Sequence, residues 1–226
     1  MPAWLQLMAQ SLWPLLYAGL VFTVPLTLAS FAIGVTIAFF AALLRLFGPP
    51  AAASAVRGYI WLFRGSPLLV QLFVIFYGLP NVGVVLDPFT AAIIGFSLNV
   101  GAYNGEIIRG VIEAIPKGQW EAAYSMNMTR AQALRRVILP QAARVALPAL
   151  SNAFIALVKD TSLAAVLTVP EIFQAAQRIA AVTYEPLILY TEAGLIYLVF
   201  SSVLSSAQVR LEARFGRHAR FEAARA

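Results

Sequence analysis

From Met1 to Leu44 the chain carries no Asp, Glu, Lys or Arg. A helix needs about 20 apolar residues to cross the hydrocarbon core of a bilayer. This stretch therefore holds one long span, over about residues 17–44, behind a polar-ended lead. The basic segment that opens a cleaved signal peptide is missing. Only 12% of all residues are charged, against about a quarter in a soluble domain. The sequence is that of an integral membrane protein.

Further apolar runs place spans at about residues 56–79, 89–111, 140–158 and 186–207. The fourth is marginal, with Pro148 inside it and Lys159-Asp160 closing it. Residues 161–182 are amphipathic and contain Pro170, which fits a re-entrant or extracytoplasmic segment better than a further span. The expectation is a single all-α domain over 1–226, a polytopic membrane bundle of about five transmembrane helices.

Lysine and arginine orient this bundle, because cytoplasmic connections accumulate them. Arg45, Arg57 and Arg64 flank the first connection. Arg109, Lys117, Arg130, Arg135, Arg136 and Arg144 fill the third, and Arg210, Arg214, Arg217, Arg220 and Arg225 fill the tail. The N-terminus and the loop at 80–88 have none, and the fourth connection has Lys159 at its edge and Arg178. That alternation puts the N-terminus outside and the C-terminus in the cytoplasm. The net charge of +6 thus reflects topology and not a nucleic-acid partner.

Several chemistries are excluded. There is no cysteine, hence no thiolate nucleophile or Cys-based metal site. The one histidine, His218, is in the charged tail. Neither lysine, Lys117 or Lys159, stands in a phosphate-binding G-x-x-x-x-G-K-[ST] loop.

Residues 118–148 are basic and soluble-looking, between segments built for lipid. Trp120, Ala123 and Met126 or Asn127 recur on one helical face. Asn127 stands where this helix should stop, since asparagine tolerates the left-handed conformation. Thr129 opens a second helix as N-cap, with Gln132 completing a capping box. That helix carries Leu134, Val137 and Ile138 on one face and Arg130, Arg135 and Arg136 largely elsewhere, and Pro140 marks its end. Two readings fit: a helix lying in the membrane interface, or a handle offered to a partner in water.

Glu121-Ala122-Ala123, a turn, and Ile138-Leu139-Pro140 resemble the EAA loop of bacterial ABC importer permeases. Phe63-Arg64-Gly65-Ser66-Pro67-Leu68-Leu69-Val70-Gln71, Ala102-Tyr103-Asn104-Gly105-Glu106, Lys159-Asp160-Thr161-Ser162-Leu163 and Val169-Pro170-Glu171 follow the order and spacing of the polar amino-acid permeases. Phe76-Tyr77-Gly78-Leu79-Pro80, Leu86-Asp87-Pro88 and Lys117-Gly118-Gln119-Trp120-Glu121 look most like the L-cystine permeases. One departure is Asn127, where the family has glycine.

The resemblance implies the type I importer fold in the bacterial inner membrane, with no catalysis and no cofactor on this chain. It implies a second permease subunit, identical or homologous, a cytoplasmic ATPase dimer that uses ATP and magnesium, and a periplasmic or lipid-anchored amino-acid-binding protein. Residues 118–140 become the coupling loop, resting in a groove of the ATPase. Glu121 is its polar anchor, Ala122 and Ala123 permit close approach, Asn127 makes the turn, and Arg130 pairs with acidic partner residues. Glu121 can also be read as an ordinary first-turn acid favoured by the helix dipole.

A zwitterionic cargo needs donors and acceptors inside the membrane. Asn99, Tyr103 and Glu106, at spacings of four and three, share one face of the third span. Asp160, Thr161 and Ser162 follow the fourth. Interhelical hydrogen bonding, or a pair of Glu106 with Arg109, competes with a substrate-path role. Packing is the better reading for Gln71, and a close helix contact for Gly101-Ala102-Tyr103-Asn104-Gly105. The rival functions are an ion-coupled secondary transporter and a non-transporting scaffold subunit.

Overall fold

A computed structural model describes residues 2–223, with side chains described as far as Arg214. Arg217, His218 and Arg220 are outside the described side chains, and Arg225 is outside the described residues. The described residues form helices joined by short connections, without a strand. Its rods are α1 (Ala3–Phe47), α2 (Pro50–Gly65), α3 (Leu68–Val82), α4 (Pro88–Ala114), α5 (Lys117–Ser125), α6 (Arg130–Leu167), α7 (Ile172–Thr183) and α8 (Pro186–Ala223). Three of them, Ala3–Phe47, Arg130–Leu167 and Pro186–Arg214, are long and apolar enough to cross a membrane by themselves.

The lead before residue 17 is itself helical. It continues into the long span, through Pro14 and a π-helical turn at Gly19–Thr23. It is ordered by burial: Leu15 packs with Ile172, Ala176, Ala180, Leu189, Ala193 and Ile196 of α7 and α8. Of residues 161–182, Thr161–Leu167 form the last turns of α6, and helix α7 buries Ile172, Ala176 and Ala180 against the bundle. Glu171 caps α7, accepting from Phe173 and Gln174 amides, and receives the Tyr197 hydroxyl.

The expected span over 56–79 is not one rod. α2 and α3 meet at an angle of 108° across Ser66-Pro67. Pro67 has no N–H to donate and its ring pushes Ser66 out of the helical region, to φ −117 and ψ 148. The hydropathy of 56–79 hid this break because both arms are apolar.

The opposite correction applies at Pro140. Sequence places the end of the second loop helix there, yet the helix runs through it from Arg130 to Leu167. The turn before it, Leu134–Ile138, is π-helical. Such a widening re-spaces the carbonyls where a proline contributes no donor. The second helix of the 118–140 element and the fourth apolar run are therefore one rod.

α4 is the axis of the molecule. Asp87 caps it, with hydrogen bonds from Thr90 and Phe89 that hold the Asp87 carboxyl below the usual carboxylate range. One face lies against α1, where Gly34 meets Val100 and Gly101 meets Ile37. The other faces α3 and α6.

Candidate translocation cavity and docking helix

A cavity of about 580 Å³ opens where the α2–α3 break, α4 and α6 face one another. It collects Asn99, Tyr103 and Asn104 from α4, Asn152 and Asp160 from α6, and Ser66 and Pro67 from the break. Other cavities between the helices are lined almost wholly by aliphatic and aromatic side chains. Asn99 donates to Gln71 Oε1 at 3.0 Å, and Gln208 donates to Asn152 at 3.0 Å. The Arg64 guanidinium lies 5.3 Å from the Tyr103 ring centroid, a cation–π distance.

Of the path residues expected from sequence, Asn99, Tyr103 and Asp160 come together here. The other three do not line the cavity. Glu106 is held by Arg45 and by Arg109, 3.0 Å away, and Arg109 also reaches Glu113 at 2.5 Å. Glu106 makes the expected ion pair with Arg109, and Arg45 of α1 adds a second cation. Thr161 is buried and donates to Val158 O, and Ser162 donates to Lys159 O. Asn152 was missed, although it lies on the Asn152, Ala156, Asp160 stripe, spaced by four, that shares one helical face. Ser66 was missed with the helix break that exposes it.

The helix–turn–helix element at 117–133 is built as its local chemistry dictates. Asn127 has φ 59, its N–H donates to Tyr124 O, and the Met128 N–H reaches back to Ala123 O at 3.2 Å. Bonds of that kind close a helix on a left-handed residue. Thr129 and Gln132 make the reciprocal capping box. Glu121 and Ala122 are exposed. Ala123 is only 2% exposed. It faces its own bundle and offers a partner nothing. Arg130 is exposed, but its guanidinium stacks 4.6 Å above the Phe47 ring centroid. Trp120 packs on the same ring, so the end of α1 seats both halves of the element.

The comparisons agree with this architecture. The L-cystine transport system permease protein TcyB of Bacillus subtilis (strain 168) is 49% identical over 220 residues, covering 94% of this chain and 91% of that protein. The glutamine transport system permease protein GlnP of Escherichia coli (strain K12) is 37% identical, over 89% of this chain and 93% of its own. A crystal structure of an amino acid ABC transporter with histidines superposes with a TM-score of 0.87 at 36% identity, covering 95% of this chain and 99% of that one. The MetNI methionine ABC transporter, at 20% identity and a TM-score of 0.69, shares the fold. A family model matches residues 34–217. The chain belongs to the family of binding-protein-dependent transport system inner membrane components, the permease subunits of ATP-driven importers.

Proposed function

We propose that this permease carries L-cystine or a closely related polar amino acid through the cavity between the helix break, α4 and α6. The carrying observation is the convergence of Asn99, Tyr103 and Asp160 on that one polar cavity. The relatives' substrates support the amino-acid class, and the L-cystine system is among the most similar. Intramembrane polar groups are costly unless they face a cavity or one another, and an ammonium passing Asp160 is a natural counterpart for its carboxylate.

ATP is hydrolysed on a partner ATPase, with magnesium, and Glu121, Ala122 and the Asn127 turn present the docking surface to it. Ala123, Trp120 and Arg130 hold that surface to the bundle. α6 then carries motion inward. From Arg130 to Asp160 it is one rod of about 45 Å at 1.5 Å per residue, so a rocking of the docking end moves the cavity wall as a body. A second permease subunit and an amino-acid-binding protein complete the assembly, with the N-terminus outside and the C-terminus in the cytoplasm.

The test is uptake of labelled L-cystine by proteoliposomes containing permease, ATPase and binding protein. Uptake should require ATP on the ATPase side. Glu121→Lys should abolish it while leaving the permease inserted and dimeric. Uptake driven by an ion gradient without ATP would establish the secondary-transporter reading instead.

A further inference from the structure

The α2–α3 break does more than bend the chain. Phe63 O would accept the amide of residue 67 in a continuous helix, but residue 67 is proline and has no N–H. The Gln71 amide nitrogen takes that place, at 2.7 Å from Phe63 O and 3.0 Å from Ser66 O. Both carbonyls are pure acceptors, so the NH₂ end of Gln71 must point at them. Its Oε1 must then point the other way, where the Asn99 Nδ2 lies 3.0 Å off. Reversing the Asn99 amide would set two carbonyl oxygens against each other. The Asn99 Oδ1 has no hydrogen-bond partner among the described residues, and Asn99 lines the cavity.

We infer that Gln71 is a positioning residue that fixes Asn99 with its carbonyl oxygen free for the cavity, so that Asn99 and Asp160 together form an acceptor site for the α-ammonium of the translocated amino acid. The inference rests on the proposed path through this cavity. The polarity of the site originates in Pro67: a missing backbone proton orients Gln71, and Gln71 orients Asn99. Gln71 is 7% exposed, so nothing from solvent competes for its amide. A hydrogen bond to a charged group contributes enough for its loss to weaken binding about tenfold.

The experiment measures binding of labelled L-cystine to the purified permease–ATPase complex without binding protein, with the N-acetylated and the methyl-ester forms as competitors. The ester keeps the ammonium and should compete, while the acetylated form should not. Asn99→Leu and Gln71→Glu should each weaken binding about tenfold at unchanged complex yield. Gln71→Glu sets carboxylate oxygens against the Phe63 and Ser66 carbonyls. On acidification, the protonated side chain can again donate to Phe63 O and accept from Asn99. Its binding relative to wild type should therefore recover as pH falls, which a merely structural defect would not do. If Gln71→Glu binds like wild type while Asn99→Leu is impaired, Gln71 does not position Asn99, and the inference fails though the path stands. If the wild-type complex binds no amino acid, or the acetylated form competes as well as the ester, the path reading and the inference fall together. Should Gln71→Glu not assemble, Gln71→Met keeps the length without the amide and faces the same tenfold expectation; wild-type binding by that variant overturns the positioning role.

Discussion

The two faces of α4 obey opposite rules. Against α1 it presents Gly101, Gly105, Ser97 and Val100, small or apolar groups packed so closely that a Cβ added at Gly34 would lie 2.5 Å from Val100 Cγ1. Toward the helix break and α6 it presents Asn99 and Tyr103, and Tyr103 is 45% exposed. In lipid no hydrophobic force drives helices together, so close van der Waals contact between small residues must supply cohesion. The first face does this and is closed. The second leaves the Asn99 carbonyl oxygen and the Tyr103 hydroxyl without a hydrogen-bond partner among the described residues, and unpaired polar groups in a membrane mark a route or a binding surface. Close packing and the proposed path are segregated by face on one helix.

The largest way to break this comparison is Gly34→Val. The seam has no room for it, and its neighbours are a β-branched side chain and the Ser97 carbonyl, 3.0 Å from the added Cβ. Overpacking should cost roughly 3 kcal/mol or more, seen as collapse of detergent-purified complex yield and a large fall in its thermal unfolding temperature. Wild-type stability would mean that α1 and α4 are not in such close contact.

Asp160→Asn tests the open face. Uptake should fall about tenfold, the loss expected when one charged partner of an ammonium is removed, with complex yield unchanged. A fall in yield equal to the fall in uptake would move Asp160 to the cohesive class.

Glu106→Gln sharpens the boundary between the faces. Its spacing from Asn99 and Tyr103 suggests the path, yet Glu106 reaches the α1 seam through Arg45 and pairs with Arg109 on its own helix. Each member of the trio keeps 19–25% of its side-chain exposure, so water still screens the charges, and glutamine retains an acceptor for the arginines; the loss should be modest, about 1 kcal/mol. Unfolding temperature should drop by a few degrees, while uptake per assembled complex stays at wild type.

What was legible in the sequence divides along the same lines. Charge-free runs, caps and the asparagine turn are local, so hydropathy and residue type suffice for them. Thr129 with Gln132 and Asn127 lie as their chemistry requires. Proline was harder, because its effect depends on what surrounds it. Pro67 breaks the helix by 108°, while Pro140 is carried through by the π turn ahead of it. The direction a side chain faces was harder still. Ala123 sits in a motif that reads as a docking surface, but its burial is decided by where α5 settles on Phe47 and α6, which no window of sequence contains.

The smallest effect separates two glycines of one pattern. Gly101 and Gly105 are four apart on the closed face and look equivalent as a G-x-x-x-G contact. An added Cβ at Gly101 would lie 2.6 Å from the Tyr59 hydroxyl and 2.7 Å from Ile37 Cγ2. At Gly105 the nearest atoms, Ala38 O and Ala41 Cβ, are 3.6 Å away, ordinary contact distance. Gly105→Ala should therefore be neutral or stabilising by up to about 1 kcal/mol, since alanine is the better helix former. Gly101→Ala has to displace Ile37 and strain the Tyr59 hydrogen bond to Leu98 O, and should destabilise by about 1–3 kcal/mol. Thermal unfolding of the two purified complexes decides it. Equal shifts in the same direction would show that the seam is uniform along its length, and that its closeness is not confined to the level of Gly34 and Gly101.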